Sequence, residues 1–213
     1  MGQTRMNTSA TIRERALFLA RFLLAPRSTG SVIPSSRYLT RAIMARVDWS
    51  RCNALAELGA GTGVFTRGIA HHLQGRVQTP SAAFPVSSPS PAAPQVLVFE
   101  KDEMMRRRLA LEFPHFSHHP DAAQLTTAVA TAGITAGLDY VISGLPFTSL
   151  PGPLRDCILT EVSTALRPDG RFVLFQYTLV LKSCLARHFD CVSVDRVHLN
   201  LPPAWVIVCK KRA

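Results

Sequence analysis

From Ala54 onward, short apolar runs alternate with segments whose apolar residues recur at helical spacing. This alternation is typical of β-α units on a mostly parallel sheet. The predicted strands are Ala54–Leu58, Val96–Glu100, Phe116–His118, Tyr140–Ser143, Phe172–Gln176, Val192–His198 and Ala204–Cys209, and the predicted helices are Phe65–Leu73, Glu103–Glu112, Leu125–Ala132 and Leu154–Leu166. A turn at Arg167–Gly170 closes the last helix. The pattern predicts a Rossmann-like α/β fold with a mostly parallel seven-stranded sheet and helices on both faces.

Two parts of the chain lack this alternation. In residues 78–95, Pro, Ser and Ala occupy 13 of 18 positions, which predicts a flexible insertion without chemistry. Residues 12–25 read as a helix, but its polar side is narrow, so burial against the domain and contact with lipid headgroups explain it equally well. We predict a basic helical cap at 1–51 followed by one domain at 52–213.

Charge changes this picture most in the first 51 residues, which hold nine arginines against Glu14 and Asp48. The chain as a whole carries a net charge of +10. Such a balance favours an anionic partner, either nucleic acid or an acidic membrane surface, although a solvated basic face with no dedicated partner has the same composition. The five scattered cysteines indicate a reducing compartment. We expect a cytoplasmic monomer on the inner face of the membrane; a charged start also allows a signal peptide, but no A-x-A-like site follows.

A glycine-rich stretch follows the first predicted strand and opens the first helix of the domain. Gly59, Gly61 and Gly63 permit a tight turn and close approach of a ligand to the backbone. Val64 stands where a nicotinamide-binding fingerprint needs its last glycine, and no Lys-Ser/Thr pair makes a phosphate loop. With Glu57 two residues upstream, the stretch is typical of the S-adenosylmethionine loop of a class I methyltransferase. A purely structural turn is the alternative.

Acidic residues after the next two strands are placed to meet the rest of such a cofactor. Glu100 lies 37 residues after Gly63, and subtracting the 18-residue insertion leaves 19, close to the roughly 20 expected for a ribose ligand. Asp121, followed by Ala122, lies at a predicted strand-to-helix turn, where it can accept from the adenine amino group. It can equally cap the following helix.

The fourth predicted strand ends in Ile142-Ser-Gly-Leu-Pro-Phe147. Reacting groups converge at the carboxyl ends of strands in open α/β sheets. Ser143 and the neighbouring carbonyls are therefore candidates for orienting a substrate amine, with Phe147 against a cationic sulfonium. A plain proline turn with a packed phenylalanine is the alternative.

Several blocks together resemble one known family. They are Gly30-Ser-Val-Ile-Pro-Ser-Ser-Arg37, Glu57-Leu-Gly-Ala-Gly-Thr-Gly-Val-Phe65, Ser143-Gly-Leu-Pro146, Phe175-Gln-Tyr177 and Asn200-Leu-Pro-Pro-Ala204. From about residue 17 to 210, apart from the insertion, the chain resembles the bacterial phospholipid N-methyltransferases. It is more distantly similar to the ribosomal RNA adenine dimethyltransferases, which usually have Asn in place of Ser143 and an additional helical domain.

The resemblance implies a role for each matching position. S-adenosylmethionine would be held by Glu57, Gly59, Ala60, Gly61, Gly63, Glu100, Asp121 and Ala122, and the substrate by Ser35, Ser36, Arg37, Tyr38 and Phe147. Tyr177 would face the reacting amine beside Ser143. Pro120 departs from the family, which more often has Gly before this Asp. No metal site is implied, and the pairs His71-His72 and His118-His119 are treated as structural.

These observations predict N-methylation of a phospholipid headgroup amine, with phosphatidylethanolamine as the substrate. Alternatives are an ornithine-type aminolipid, an rRNA adenine, or a non-catalytic nucleotide-binding adaptor. The enzyme would supply proximity and alignment, and the amine proton would pass to water or transiently to Tyr177. The aromatic candidates for contact with a methylated ammonium are Tyr38, Phe147, Tyr177 and Trp205.

Overall fold

The computed structural model describes residues 34–77 and 94–212. Residues 1–33 of the predicted basic cap, which include its helix at 12–25, and nearly all of the 78–95 insertion lie outside the described residues. The division of the chain at residues 51 and 52 therefore stays a prediction.

The described residues form helices and strands in the predicted alternation. The strands are β1 (Ala54–Leu58), β2 (Gln95–Phe99), β3 (Ser117–His119), β4 (Leu138–Ser143), β5 (Leu166–Gln176), β6 (Phe189–Val197) and β7 (Ala204–Lys211). The helices are α1 (Pro34–Met44), α2 (Val64–Val77), α3 (Glu103–Glu112), α4 (Leu125–Thr131), α5 (Gly152–Ala165) and the short α6 (Lys182–Leu185), with a 3₁₀ turn at Ala122–Gln124 before α4.

All seven strands belong to one sheet in the order β3-β2-β1-β4-β5-β7-β6. Strands β1 to β5 pair in parallel, whereas β7 is antiparallel to both β5 and β6. The parallel strands therefore end at a common edge, marked by Leu58, Phe99, Ser143 and Gln176, which we call the carboxyl edge. Because β7 runs the other way, the turn between β6 and β7 lies at this edge too. The Rossmann-like methyltransferase fold predicted from the sequence is confirmed.

Alternate residues of the central strands pack on opposite faces of the sheet, as the two-residue period of a strand requires. Leu58, Leu97 and Leu174 lie in the cluster that includes α4 and α5. Leu55 and Val173 lie in the other cluster, with α1, α2 and α3. Every residue of β1 is buried, so the glycine stretch that follows it starts from a rigid position.

The bounds of helix α1 were not predicted, because its residues Ser35 to Tyr38 were assigned to substrate contact. Its Leu39 and Ile43, four residues apart on one face, are buried against the sheet cluster that also contains Phe175. Gly68 of α2 allows the two helices to approach closely, since a Cβ there would lie 2.9 Å from Thr40 Cγ2. The remaining positions of α1 are mostly polar, which is why this packed helix was not recognised within the basic segment.

Residues 167–170 do not form the predicted turn, although helix α5 does end just before them. Helix α5 ends at Ala165, and residues 167–170 instead form a bulge of β5, standing opposite the single residue Asp139 between the pairs Leu138↔Leu166 and Tyr140↔Arg171. A Cβ on Gly170 would lie 2.7 Å from the Leu138 carbonyl oxygen. Buried Asp139 holds the bulge by pairing with Arg167 at 2.9 Å.

Candidate functional site

The glycine stretch forms a left-handed loop between β1 and α2. Gly59, Gly61 and Gly63 have φ angles of 74°, 54° and 83°, a region that side-chain-bearing residues rarely adopt. The Gly59 and Ala60 N–H groups both donate to the Phe99 carbonyl, at 2.8 and 3.1 Å. The loop is therefore pinned to the end of β2 while space remains open above Gly61, where a Cβ would meet no atom of the described residues within 4 Å.

Glu100, the predicted ribose ligand, lies directly after β2 beneath this loop. One carboxylate oxygen accepts from the Gly61 N–H at 2.6 Å, and the other accepts from the Asp102 N–H at 2.8 Å. A carboxylate oxygen has two lone pairs, so each keeps capacity for a further donor. The contact between Glu100 and a ribose stays a prediction, and the placement of the carboxylate supports it.

Glu57 lies within β1, with no exposed surface. Its Oε2 accepts from the Thr66 hydroxyl at 2.7 Å, whereas its Oε1 is buried without a hydrogen-bond partner among the described residues. An unpartnered buried acceptor is unusual in proteins. Because Glu57 has no exposed surface, a polar ligand group would meet it only after the adjoining loop opens. Burial raises the pKa of Glu57 to about 7, although the hydrogen bond from Thr66 opposes the shift.

The raised pKa makes stability depend on pH. Between pH 4.5 and about 7 the folded protein holds a proton on Glu57 that the unfolded chain has released, so stabilisation from this group is lost as pH rises through that interval. Glu57→Gln does not titrate and keeps an acceptor for Thr66. We expect the wild type to lose roughly 2 to 3 kcal/mol of unfolding free energy relative to Glu57→Gln between about pH 5 and pH 8.

Urea unfolding of both proteins at the two pH values measures this difference directly. A constant difference between the wild type and Glu57→Gln would show that Glu57 stays ionised in the folded state.

The end of β4 is locked to its neighbours by hydrogen bonds. The Gly144 N–H donates to the Leu58 carbonyl at 2.9 Å, and a Cβ on Gly144 would lie 2.9 Å from the Gly59 carbonyl oxygen. Gln176 Nε2 donates to the Leu145 carbonyl at 3.1 Å. The ends of β1, β4 and β5 are thus held together at the carboxyl edge.

Two predicted substrate contacts do not fit this arrangement. Ser143 has no exposed surface, and its hydroxyl accepts from the Leu145 N–H at 3.1 Å, so it shapes the turn rather than holding an amine. Phe147 is also fully buried, edge-on to Phe172 at a centroid distance of 6.0 Å, and cannot contact a sulfonium. The Leu145 carbonyl already accepts from Gln176 and Phe147. We therefore revise the roles of Ser143, Phe147 and this carbonyl from substrate binding to support.

Tyr177 lies at the carboxyl edge directly after β5 and is half-buried. Its ring packs edge-on to Phe175 at 5.7 Å, and Phe175 packs against Phe65, the second residue of α2. Burial raises the pKa of the Tyr177 hydroxyl, and a hydrogen bond with the Asn200 side chain partly offsets that rise. The hydroxyl is therefore protonated near neutral pH, so Tyr177 is not a resident base.

The remaining predicted contacts lie at two other places. Asp121 is exposed and caps the 3₁₀ turn, its Oδ1 accepting from the Ala123 N–H at 2.9 Å. This geometry matches the capping alternative, while contacts of Asp121 and Ala122 with adenine stay predictions. Ser35, Ser36, Arg37 and Tyr38 lie in the first half of α1, with the Arg37 guanidinium 5.3 Å from the centroid of the Tyr38 ring. Their contacts with substrate stay predictions.

Three residues of the site escaped the sequence analysis. Thr66 and Gln176 are buried polar residues that tie the loop and β5 to their neighbours, and Asn200 bonds to Tyr177. Gln176 stood out only as a polar residue at the end of an apolar run. Asn200 was noticed as part of a motif without a role. No group of residues suited to hold a metal ion occurs in the described ranges.

A cavity of about 570 Å³ lies at the opposite edge of the sheet, away from the glycine loop. It is lined by Ala45, Arg46, Val47, Asp48, Arg51, Tyr140, Arg167, Asp169, Arg171 and Lys210. Three of its five cations already pair with carboxylates, namely Arg46 with Asp195, Arg167 with Asp139 and Lys210 with Asp169. This cavity is not part of the candidate site.

Comparison with known proteins identifies the chain. It is 30% identical over 199 residues to the ornithine lipid N-methyltransferase of Singulisphaera acidiphila, which covers 91% of this chain and 94% of that protein. The chain belongs to the same family. It is an S-adenosylmethionine-dependent methyltransferase. No family model matches the chain.

Solved structures show the fold independently of this sequence relationship. The N-methyltransferase NodS of Bradyrhizobium japonicum WM9, in complex with S-adenosyl-L-homocysteine, matches with a TM-score of 0.64 at 12% identity, covering 93% of this methyltransferase and 99% of NodS. The 1,6-didemethyltoxoflavin-N1-methyltransferase of Burkholderia thailandensis matches with a TM-score of 0.62 at 15% identity, with 100% and 93% covered. The narrower resemblances to phospholipid-specific enzymes and to rRNA adenine dimethyltransferases stay predictions.

The residues of the methyltransferase fit its cofactor. The left-handed loop offers close backbone approach, the buried Glu57 Oε1 has no hydrogen-bond partner among the described residues, and the Glu100 carboxylate has spare acceptor capacity. All three lie at the carboxyl edge, where ligands bind in open α/β sheets.

Proposed function

We propose that this methyltransferase acts on the amine of an ornithine-type aminolipid. The observation that carries the proposal is the 30% identity, across 91% of the chain, to an enzyme named for ornithine lipid. Phosphatidylethanolamine, the substrate expected from the sequence, becomes the second candidate, because that relative is not named for a phospholipid. The two substrates share a lipid-borne primary amine.

The amine must be neutral to react. When bound, the cofactor supplies an electrophilic methyl group, whose carbon joins the amine nitrogen as its bond to sulfur breaks. The protonated Tyr177 hydroxyl does not take the amine proton, so the proton leaves to water. Burial beside Phe175 and Tyr177 favours this loss, since a poorly hydrated site disfavours the ammonium form. The chain therefore contributes alignment and desolvation rather than a general base.

A methylated amine becomes a cation that an aromatic face can stabilise. Among the four aromatic residues considered, Phe147 is fully buried, Tyr38 contacts the Arg37 guanidinium, and Trp205 contacts Arg196 at 5.4 Å. Tyr177 is half-buried at the carboxyl edge and contacts Phe175 and Asn200 instead. We therefore assign the ammonium contact to the Tyr177 ring.

We further propose that the enzyme is a monomer and that it binds peripherally to an anionic membrane at the cytoplasmic face. No helix within residues 34–77 and 94–212 is long and apolar enough to cross a bilayer. The nine arginines of residues 1–51 support the proposal, because anionic lipid attracts each nearby cation by about 1 kcal/mol.

A methyl-transfer assay tests the substrate. The purified enzyme is incubated with methyl-labelled S-adenosylmethionine and mixed micelles of ornithine lipid, phosphatidylethanolamine or total RNA, and products are identified by mass spectrometry. We expect label in ornithine lipid. Label only in phosphatidylethanolamine or only in RNA would overturn the proposed substrate, and absence of label from all three would overturn lipid methylation altogether.

Two variants in the same assay test the role of Tyr177. Tyr177→Phe keeps the ring and loses only the hydroxyl, so we expect at most about a tenfold loss of rate, the value of one hydrogen bond. Tyr177→Leu removes the ring and should lose roughly a further tenfold. Neither variant should shift the pH dependence of the rate. A matching shift in both would show that Tyr177 accepts the proton after all.

A further inference from the structure

Exposed aliphatic side chains gather on two loops of the methyltransferase. Seven large hydrophobic side chains are exposed in the described part of the chain, and four of them lie within residues 177–181 and 198–203. Val180, Leu199 and Leu201 are 66%, 66% and 78% exposed, and Leu179 is 37% exposed. Where exposed apolar side chains lie together on a surface, they mark a contact with a protein or a membrane.

The two loops are neighbours at the carboxyl edge. Residues 177–181 follow β5, and residues 198–203 connect β6 to β7. The pairing of Gln176 with Trp205 brings the end of β5 beside the start of β7, and the Asn200 side chain is close enough to the Tyr177 hydroxyl to offset part of the rise in its pKa. The four aliphatic residues therefore flank the aromatic residue to which we assign the ammonium contact.

Charge indicates what covers this surface. Residues 177–188 and 196–204 contain no Asp or Glu, whereas they contain Lys182, Arg187 and Arg196. Arg187 pairs with Asp156, but no carboxylate of the described residues pairs with Lys182 or Arg196 within 4.0 Å. Aliphatic side chains beside cations suit a bilayer with anionic headgroups, in which both kinds of residue find favourable surroundings.

We propose that Leu179, Val180, Leu199 and Leu201 form a lipid-inserting rim that seats the carboxyl edge on an anionic membrane. The inference rests on the proposed lipid substrate, and it adds which residues enter the membrane. A lipid amine then reaches Tyr177 from between the two loops without leaving the headgroup region.

A double variant, Leu199→Ser with Leu201→Ser, tests the rim in the full chain. The matched control is Met104→Ser with Leu111→Ser, which removes two side chains that are 80% and 85% exposed on α3. Binding is measured by sedimentation with vesicles of phosphatidylcholine and phosphatidylglycerol, at high salt to screen attraction by the basic residues. We expect the rim variant to bind at least about tenfold more weakly than the wild type, and the control to bind like the wild type.

Rates on two forms of substrate complete the test. On ornithine lipid within the vesicles the rim variant should be at least about tenfold slower, whereas on a short-chain, water-soluble ornithine lipid it should match the wild type. The rim proposal would be overturned if the rim variant bound vesicles as well as the wild type, or if the control lost as much binding. It would also be overturned if a change of oligomeric state explained the loss of binding. If the wild type methylated neither form of ornithine lipid, the proposed function would be overturned. Vesicle sedimentation would still test the rim, because it does not depend on methylation.

Discussion

Gly144→Ala is expected to weaken binding of S-adenosylmethionine and slow methyl transfer, each by roughly a hundredfold. The added Cβ would lie 2.9 Å from the carbonyl oxygen of Gly59, a backbone atom that cannot swing aside as a side chain can. The glycine loop must move away from the end of β4 to relieve this contact. A displacement of about 1 Å at a reacting centre commonly costs about a hundredfold in rate.

The matched control for this prediction is Gly152→Ala at the start of α5. Its Cβ would meet nothing closer than 3.8 Å, at the end of the Arg155 side chain. A compatible Gly→Ala change usually stabilises by about 0.4–1 kcal/mol through the unfolded chain. Calorimetric titration measures the cofactor affinity of both variants, and urea unfolding measures their free energies of unfolding. Cofactor affinity in Gly144→Ala equal to that in Gly152→Ala would show that the loop tolerates displacement.

Removing the carboxylate of Glu100 is the second change with a large expected effect. In Glu100→Ala the N–H groups of Gly61 and Asp102 lose their acceptor, and the proposed ribose contact is lost with them. Hydrogen bonds to a charged group contribute about 1.5–3 kcal/mol each. We expect the dissociation constant for S-adenosylmethionine to rise at least about a hundredfold, as measured by calorimetric titration.

Glu103→Ala controls for loss of a nearby negative charge, because Glu103 is exposed and pairs along α3 with Arg107. Glu100→Gln adds a finer comparison, since its amide keeps one acceptor oxygen and replaces the other with a donor. Affinity should fall in the order wild type, Glu100→Gln, Glu100→Ala. If Glu100→Ala bound the cofactor as well as Glu103→Ala does, the carboxylate would neither order the loop nor meet the ribose.

The parts of the fold that local chemistry determines were predictable from the sequence. Strand β1 was predicted with its observed bounds, because all five of its residues are buried and four of them are apolar. The glycine loop was recognisable because its backbone angles exclude most other residues. Glu100 could be identified as a ribose ligand once the insertion was subtracted from its distance to Gly63, since the spacing between strand ends in a β-α-β unit is a property of the fold.

What the sequence could not predict depends on partners distant along the chain. The bulge at residues 167–170 exists because Asp139 pairs with Arg167, and Pro and Gly in that stretch read equally well as a turn. Ser143 read as a substrate ligand because polarity at a strand end suggests function. Its hydrogen bond to Leu145 is local, but its burial follows from the closeness of β1, β4 and β5, which no local pattern records.

The strand order divides the carboxyl edge into two regions that draw on different parts of the chain. On the β1-β2-β3 side lie the glycine loop, Glu100 and Asp121, all from residues 57–121, whereas the β4-β5-β7-β6 side carries Tyr177 and Asn200. By the proposed roles, a substitution in the turn between β6 and β7 would change the surroundings of Tyr177 without touching the glycine loop or Glu100.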